Sequence, residues 1–515
     1  MKPKITVIIP VYNVEEYISD CLNSVINQML EGLEVIIIND GSTDNSFTIC
    51  EEFASKYTNL HIYSQENRGL GFTRNRGVEL SNGEYIAFLD ADDYVPVNIY
   101  QELYSIAKKT NSDIILGQAW RFNSNSGKLY KPYGSDILFS KDVENKKVRD
   151  IPYVVHNGIV ANKLYKSALI KDKKIRFVEG VHYEDTLFSL AAYNYADSVT
   201  VFPNIVYFWR VRERMDNPSI SQQVHTLKNL KDRITVNNLC DRMLDLPKEL
   251  EEEWNFFKYN NILNSFLSDV SKINPLEEKC YKGLINEYLR TMPEMFLNRL
   301  SDQNRIRYVC TLENKYDFIN PLDVKKFLAK YKNGKFYLDN LNISSYYQDY
   351  LDISNNFIVS CYLDYVRVSS KKIRIGFSLI LRTDWIENND IEIRLYLNNY
   401  QKGTHNEILI SKYVVNETSH YSSDLLLTKE MSFQDASLEK WYFSVRINYR
   451  EFSKKIKLNK FLSSEKINII NRSFLGSVLF RSNSNGNFYL IFNNKRSLLR
   501  KIMSKVINTI KIKNR

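Results

Sequence analysis

Residues 5–44, ITVIIPVYNVEEYISDCLNSVINQMLEGLEVIIINDGSTD, decide the fold because they read as strand, helix, strand and turn in succession. Two apolar runs, residues 5–10 and 34–38, have the length of buried strands. Asn13 is predicted to N-cap the helix between them, with Glu15 and Glu16 in its first turn. Apolar residues at helical spacing should pack this helix on a sheet: Ile18, Leu22, Val25, Ile26 and Met29. This order predicts a parallel α/β sheet whose ligands lie beyond the carboxyl ends of the strands.

A further predicted strand, residues 85–89, ends in a cluster of carboxylates, Asp90-Ala91-Asp92-Asp93. Three carboxylates this close repel one another unless a cation lies among them, and hard oxygen ligands suit Mg²⁺ or Mn²⁺. The alternative interpretation is an acidic turn that caps the next helix. A dinucleotide-binding domain is not supported, because residues 10–13, Pro-Val-Tyr-Asn, replace the glycine-rich turn expected after the first strand.

Together with residues 39–44 (NDGSTD), 66–69 (ENRG) and 73–75 (TRN), these segments resemble the family 2 glycosyltransferases of GT-A fold in both order and spacing. The resemblance implies an enzyme that moves a sugar from a nucleotide-sugar, usually a UDP-sugar, to an acceptor hydroxyl. It also implies inversion at the anomeric carbon and a requirement for Mn²⁺ or Mg²⁺.

The resemblance implies roles for individual residues around the donor. The residues matched to nucleotide-sugar contacts in this part of the chain are Pro10, Tyr12, Asp40, Asn67, Arg74 and Asp90, and Asp92 is matched to the metal ligand. Asp40 would accept a hydrogen bond from the uracil N–H, and Arg74 would pair with diphosphate oxygens. Taken alone, Asp40 would be a turn former and Arg74 a solvated helix residue.

Two later segments complete the implied site. The family carries a Glu-Asp pair where this chain has Glu184 and Asp185, and the resemblance makes Asp185 the catalytic base. Partial burial and a neighbouring carboxylate would raise its pKa and make it a better base; the alternative is that Asp185 only N-caps the following helix. Arg212 and Ser221 are matched to an arginine-rich strand and a loop that closes over the diphosphate. Residues 215–217, Met-Asp-Asn, stand where some relatives carry a histidine metal ligand.

At 515 residues the chain is too long for one domain. We expect a GT-A domain at 1–225, a helical linker domain at 226–338, a β-sandwich-like domain at 339–492 and a basic amphipathic helix at 493–515. Apolar residues on one face indicate the helical region: Tyr259, Leu263, Phe266, Leu267 and Val270. Alternating apolar residues in 373–381, 391–397 and 443–449 indicate the all-β region.

This layout resembles the wall-teichoic-acid glycosyltransferases of Gram-positive bacteria, among them the poly(ribitol-phosphate) N-acetylglucosaminyltransferases. The resemblance implies transfer of GlcNAc, glucose or a related sugar to an anionic poly(ribitol- or glycerol-phosphate) polymer or another surface glycan. It also implies a homo-oligomer assembled through the β domain. The alternatives are a capsular or lipid-linked oligosaccharide glycosyltransferase and a catalytically silent glycan-binding scaffold. No nucleic-acid partner is expected.

Charge and cysteine usage add a prediction about location. Lys and Arg number 70 against 60 Asp and Glu, a basic excess that suits an anionic partner. The six cysteines show no CxxC pattern, and neither a signal peptide nor an apolar run of membrane-spanning length is evident, which predicts a cytoplasmic protein with reduced thiols. The basic helix at 493–515 favours peripheral contact with the inner face of the plasma membrane; the alternative is docking on the β domain.

Overall fold

The computed structural model describes residues 2–319 except 124–125, 131–137, 141 and 213–222, and beyond them separate segments between 329 and 493. Contacts divide the chain into two units, Met1–Leu300 with Arg307–Pro321, and Ser301–Ile306 with Leu322–Arg515. Among the described residues, no helix has both the length and the apolar character needed to span a membrane. The predicted boundaries at 225, 338 and 492 stay predictions.

The first half of unit 1 is a parallel sheet. Its strands are β1 (Ile5–Val11), β2 (Leu33–Asp40), β3 (Leu60–Gln65) and β4 (Tyr85–Phe88), arranged in the order β3-β2-β1-β4. The connecting helices are α1 (Ile18–Ile26), α2 (Ser46–Lys56), α3 (Leu70–Leu80) and, after β4, α4 (Ile99–Thr110). Alternate residues of β1 enter two different cores, with Val7 and Ile9 packed on the side of α1 and Ile8 on the side of α3. The predicted order of strands and helices is confirmed here.

The second half of the same sheet is mixed. It contains β5 (Ile114–Asn123), β8 (Lys163–Lys166) and β9 (Val199–Val211), with β6 (Leu129–Tyr130) and β7 (Val143–Lys146) paired beside them. Strand β8 lies antiparallel between β4 and β5, whereas β9 runs parallel to β5 and antiparallel to β7. The sheet is therefore mixed beyond β4, and the parallel order predicted from residues 5–44 holds for its first strands. Backbone hydrogen bonds between Tyr94 and Phe208 hold β9 next to the loop that follows β4.

Two details predicted for α1 are wrong. The helix begins at Ile18, with Tyr17 as its N-cap, so Asn13 does not cap it. The helix ends at Ile26, and Met29 is 78% exposed instead of packed on the sheet. Asn13 is instead engaged by the turn that follows β2, as described below, and the helix is shorter than its apolar pattern.

Helices make up most of the rest of unit 1. They are α5 (Ser167–Asp172), α6 (Glu184–Tyr195), α7 (Leu227–Met243), α8 (Lys248–Asn261), α9 (Glu278–Arg290) and α10 (Asp302–Leu312). Short 3₁₀ segments cover Val148–Asp150, Pro152–His156, Val270–Lys272, Glu294–Arg299 and Tyr316–Phe318, and Ile262–Phe266 is a π-helical turn. Of the predicted stripe, Tyr259, Leu263, Phe266 and Leu267 are buried, whereas Val270 is only partly buried and lies in a 3₁₀ segment.

The described part of unit 2 is mainly β-structure, with a hairpin β10 (Ala329–Lys332)–β11 (Lys335–Leu338) and one short helix, α11 (Ser345–Gln348). Its longer strands are β12 (Ile358–Val368), β13 (Lys372–Leu381), β14 (Ile391–Asn399), β15 (Glu407–Val414), β16 (Ser419–Leu426), β17 (Glu439–Tyr449), β18 (Phe452–Lys457), β19 (Ile467–Asn468), β20 (Ser477–Ser482) and β21 (Phe488–Asn493). They pair as β16-β13-β12-β19 and β15-β14-β17-β21-β20, with β18 on β17. Strands β13, β14 and β17 occupy the three segments whose alternation predicted them. Residues 494–515, and with them the predicted amphipathic helix, lie outside the described residues.

Candidate active site

The turns that follow β1 and β2 are joined by hydrogen bonds at the carboxyl edge of the sheet. Asn13, with a φ of 49°, accepts through Oδ1 from the Thr43 N–H at 2.8 Å, and its own N–H donates to the Ser42 hydroxyl at 3.2 Å. Pro10 is buried within β1, whereas Tyr12 is 50% exposed at the start of the turn. The two turns thus form a single rim with the Tyr12 ring at its surface.

Asp40, the last residue of β2, is buried and holds the turn that precedes α3. Its Oδ1 accepts from the Arg68 N–H at 2.9 Å and from Gln65 Nε2 at 2.7 Å, and its Oδ2 accepts from the Gly69 N–H at 2.9 Å. A carboxylate offers about four lone-pair positions, so it can accept from one further donor. The structural role of Asp40 is therefore compatible with the predicted hydrogen bond to an imide N–H.

Gly41 lets the turn after β2 approach the turn before α3. Its φ is 74°, and a Cβ added there would lie 2.8 Å from the backbone nitrogen of Asn67. Any side chain would therefore force the two turns apart. Asn67 itself is exposed beside this contact, at the edge where a residue that contacts the base is expected.

Arg74 of α3 connects the carboxylates after β4 with those at the start of α6. Its guanidinium is buried and forms an ion pair with Asp90 Oδ1 at 2.5 Å and a second one with Glu184. Burial by itself would lower the pKa of Arg74, but the carboxylates of Asp90, Glu184 and Asp185 raise it. Sequence reasoning placed Arg74 at the donor diphosphate and did not foresee this bridge.

Two arginines near the end of β9 hold the loop that carries the carboxylate cluster. Arg212 donates from Nε and a terminal nitrogen to Asp92 Oδ2 at 2.9 and 2.7 Å. Arg210 donates from Nε to the Asp92 carbonyl at 2.7 Å and from its N–H to Asp93 Oδ1 at 2.7 Å. Tyr207 donates its hydroxyl to the other oxygen of Asp93, which is buried. The loop is therefore fixed to β9 by charge-assisted hydrogen bonds.

These contacts correct one expectation about the cluster. Repulsion among its carboxylates does not by itself require a metal, because Arg74 and Arg212 pair with Asp90 and Asp92. Sequence reasoning missed Arg210 and Asp93 as members of this network. A usable signal existed, since Arg210 and Arg212 are two residues apart in a strand and so share a face.

Glu184 and Asp185 begin α6. The N-cap is Tyr183, with a φ of 65°, so the alternative that Asp185 N-caps this helix is wrong. Burial raises the pKa of Asp185, against the opposing charges of Arg74 and Arg233. Burial also raises the pKa of Glu184 to about 7 despite its pairing with Arg74. A carboxylate with a raised pKa accepts a proton more readily, which suits a general base.

The donor set of the carboxylate cluster fits a metal that is shared with a phosphate ligand. Within the described residues, no group of three or more His, Cys, Asp and Glu side chains forms a metal site. Mg²⁺ is commonly held by one or two carboxylates together with substrate phosphates. Asp90 and Asp92, with side chains 35% and 19% exposed, provide two such carboxylates in one loop. Ser221 lies in 213–222, outside the described residues.

Residues 6–172 match the family described as glycosyl transferase family 2. A cholesterol galactosyltransferase of Borreliella burgdorferi is 30% identical over 260 residues, 47% of this chain and 71% of that protein. Glycosyltransferase GlyA of Streptococcus pneumoniae is 27% identical over 394 residues, 74% of this chain and 54% of GlyA. The poly(ribitol-phosphate) beta-glucosyltransferase of Bacillus spizizenii is 32% identical over 225 residues, 42% of this chain and 34% of that enzyme. The chain thus spans about half the length of GlyA and a third of the Bacillus enzyme.

The fold is similar to that of TarS from Staphylococcus aureus, with a TM-score of 0.59 at 18% identity over 96% of this chain and 86% of that one. A structure of TarS residues 1–349 in complex with UDP-GlcNAc matches with a TM-score of 0.51 at 21% identity, covering 66% of this chain and 98% of that one. Likeness at this identity concerns the fold, and it confirms the GT-A-like mixed sheet predicted for the N-terminal part. Together, the matched segment and the Borreliella relative show that the chain belongs to glycosyltransferase family 2.

Proposed function

We propose that this protein is an inverting glycosyltransferase that uses a UDP-sugar as its donor. The observation that carries the proposal is the bridge made by Arg74, which pairs with Asp90 on one side and with Glu184 on the other. The bridge brings the acidic loop after β4, suited to a metal and a diphosphate, next to a buried carboxylate pair suited to accept a proton. The complex of TarS 1–349 with UDP-GlcNAc supports a UDP-sugar as donor.

The donor would lie along the carboxyl edge of the sheet. We assign the uracil to Tyr12, Asp40 and Asn67, the ribose to Asp90, and the diphosphate to Arg212, with Pro10, Arg74 and Ser221 completing the set. Asp40 is held in place by the backbone N–H groups of the 66–69 turn, so it is oriented before any base binds. Such preorganisation lowers the entropy lost on binding.

Asp92 would hold Mn²⁺ or Mg²⁺ together with diphosphate oxygens. The bound ion would supply Lewis-acid stabilisation of the negative charge that builds up on the departing diphosphate. Arg212 already holds Asp92 Oδ2 at 2.7 Å, so it keeps this carboxylate oriented and adds positive charge at the same place.

Asp185 would act as the general base. It accepts the proton of the acceptor hydroxyl while that oxygen bonds to the anomeric carbon and the bond from this carbon to the diphosphate oxygen breaks. UDP leaves with the electron pair of that bond. Attack from the face opposite the leaving group inverts the anomeric configuration, and no covalent intermediate with the protein is needed.

For the acceptor, we propose a hydroxyl of an anionic polyol-phosphate polymer such as poly(ribitol- or glycerol-phosphate). The name of the Bacillus spizizenii relative and the excess of ten positive charges support this choice. The capsular or lipid-linked oligosaccharide transferase shares the catalytic part and differs in acceptor. The alternative that is not an enzyme is a catalytically silent glycan-binding scaffold.

A screen of UDP-sugars for release of UDP, with and without Mn²⁺, tests the function. We expect one or a few donors to be hydrolysed slowly in the presence of the metal, and release to accelerate when poly(ribitol-phosphate) or poly(glycerol-phosphate) is added. The Asp185→Asn variant is the control for contaminating hydrolases. If wild-type protein and Asp185→Asn release UDP equally slowly from every donor, the scaffold alternative is favoured instead.

The pH dependence of transfer should reflect the ionisation of the carboxylate pair Glu184 and Asp185. We expect kcat to fall as the pH is lowered, because the base must be ionised to accept a proton. Since burial raises the pKa of Asp185, and that of Glu184 to about 7, this acid limb should lie well above the ordinary aspartate value of 3.8. Measuring kcat from about pH 4 to about pH 9 checks it. A rate that stays constant down to about pH 4 would contradict a buried base.

We also propose that the β-rich region from about residue 339 onward is a sandwich-like domain that assembles the protein into a homo-oligomer. An oligomer would present several active sites to one repetitive polymer and so raise their effective concentration. We expect light scattering to show an oligomer for the full chain and a monomer after truncation behind residue 321, where unit 1 ends. The truncated protein should still hydrolyse its donor but glycosylate polymer poorly. A monomeric full-length chain would contradict the proposal.

Cytoplasmic location and contact of residues 493–515 with the membrane stay predictions.

A further inference from the structure

The first turns of α7 contact the segment that leads into α6. The His182 N–H donates to Asp232 Oδ2 at 3.1 Å, and His182 Nδ1 lies 2.8 Å from Asn229 Oδ1. Lys228 pairs with the same Asp232 carboxylate at 2.6 Å. Helix α7 begins at Leu227, well beyond the segment 6–172 that matches the family. Helix α7, which like Asp185 lies beyond the matched segment, therefore holds the turn that leads into α6.

Arg233 makes the most direct of these contacts. Its guanidinium donates to the Thr186 hydroxyl at 2.9 Å, and the central carbon of the group lies 3.8 Å from the centre of the Tyr183 ring. Thr186 directly follows Asp185, and Tyr183 is the N-cap of the same helix. The Nε of Arg233 is buried and has no hydrogen-bond partner among the described residues. Burying a guanidinium in this way is costly unless an opposite charge lies nearby.

Asp185 supplies that opposite charge. Burial lowers the pKa of Arg233, and among the groups that oppose this effect, Tyr183 and Asp185 act most strongly. Of these two groups, Asp185 is the one with a carboxylate. The influence is mutual, because Arg233 in turn lowers the pKa of Asp185.

We propose that Arg233 is a positioning residue for the reaction: it fixes the first turn of α6 between Tyr183 and Thr186 and keeps the Asp185 carboxylate ready to accept a proton. The inference rests on the proposed role of Asp185 as the base. It gives a residue of α7 a positioning role in the reaction, which would make the helical region part of the catalytic unit.

The charges around Asp185 determine the sign of the expected pH effect. The titratable groups that face it from α3, the loop after β4, β8, α6 and α7 are Arg74, Asp90, Lys163, Tyr165, Tyr183, Glu184 and Arg233. Of these, Arg74, Lys163 and Arg233 lower the pKa of Asp185, whereas burial and Asp90 raise it. Removing the charge of Arg233 therefore raises this pKa, and a higher pH is then needed to ionise the base.

The test compares Arg233→Met and Arg233→Lys in the full-length chain, with Arg242→Met as the matched control. Arg242 lies on the same helix, is exposed and bonds to the Asn238 carbonyl. For Arg233→Met we expect kcat to fall by about 10-fold to 100-fold, the scale of a misplaced catalytic group. The acid limb of its pH profile should move to higher pH. Arg233→Lys should restore the position of the limb, and Arg242→Met should resemble wild type. Calorimetric titration with UDP and Mn²⁺ should give the same Kd for all four proteins.

The double variant Asp185→Asn with Arg233→Met separates a role through Asp185 from a general loss of structure. If Arg233 acts through the base, this variant should be no slower than Asp185→Asn alone. If the double variant is slower than Asp185→Asn by the full factor that Arg233→Met loses alone, the inference is overturned. An acid limb of Arg233→Met that does not move would also overturn it. A wild-type protein that hydrolyses no UDP-sugar would instead overturn the proposed function itself, and an Asp185→Asn variant as fast as wild type would overturn the role of Asp185 on which the inference rests.

Discussion

Replacing Asp185 with asparagine is expected to lower kcat for sugar transfer by roughly 10²–10⁴, the usual contribution of general-base catalysis. The amide has the size of the carboxylate but cannot take the proton of the acceptor hydroxyl. Asp185 lies at the start of α6, its carboxyl has a pKa raised by burial, and Tyr183 rather than Asp185 caps the helix. Loss of the carboxylate should therefore affect the chemistry far more than the helix.

Steady-state rates with the donor found in the screen measure this loss, and titration with UDP and Mn²⁺ measures donor binding. We expect the affinity for UDP to stay within a few-fold of wild type, because Asp185 is not among the residues assigned to the nucleotide. Asp172→Asn, an exposed substitution at the end of α5, is the matched control and should be as active as wild type. Near wild-type turnover of Asp185→Asn would mean that another group accepts the proton.

Asp92→Asn is expected to reduce transfer by at least about 10²-fold, since several kcal/mol of charge stabilisation depend on a metal of this kind. The neutral amide is a poor ligand for Mn²⁺ or Mg²⁺, but its oxygen can still accept from Arg212. Asp92→Ala should be at least as inactive, because it removes the carboxylate altogether.

The metal requirement can be measured in two ways. Excess chelator should abolish activity of the wild-type protein, and added Mn²⁺ should restore it. Calorimetry should show that Mn²⁺ strengthens UDP binding to wild type and to Glu51→Gln, an exposed control on α2, but not to Asp92→Asn. Full turnover in the presence of chelator would exclude the proposed role of Asp92.

The sequence predicted β1, β2 and β4 correctly because each is a continuous apolar run that ends in a polar turn, whereas the mixed sequence of β3 provides no such signal. It failed where tertiary contacts replace local ones. Asn13 has the chemistry of an N-cap, but its side chain bonds to Thr43, some thirty residues away, and local reasoning has no access to such a partner. Met29 continues the helical apolar spacing, yet the helix has already ended at Ile26.

The residues of the candidate site likewise fall into two groups, those that short sequence motifs indicate and those that only tertiary contacts reveal. Asp40, Asp90, Asp92 and the Glu184–Asp185 pair could be identified because they stand in short motifs with recognisable order. The roles of Arg74 and Asp93 could not, since each depends on contacts with segments that are distant in the sequence. Backbone hydrogen bonds between Tyr94 and Phe208 hold β9 beside the acidic loop, and no pattern within a single segment indicates that arrangement.

The bridge made by Arg74 has a consequence for how such an enzyme can diverge. A single codon specifies the side chain that joins the loop after β4 to the start of α6, so one missense change there would disturb both at once. New acceptor preferences are therefore more accessible through the β-rich unit than through the centre of the site. A protein engineer who wishes to alter the product of this chain would leave residue 74 untouched and diversify around it.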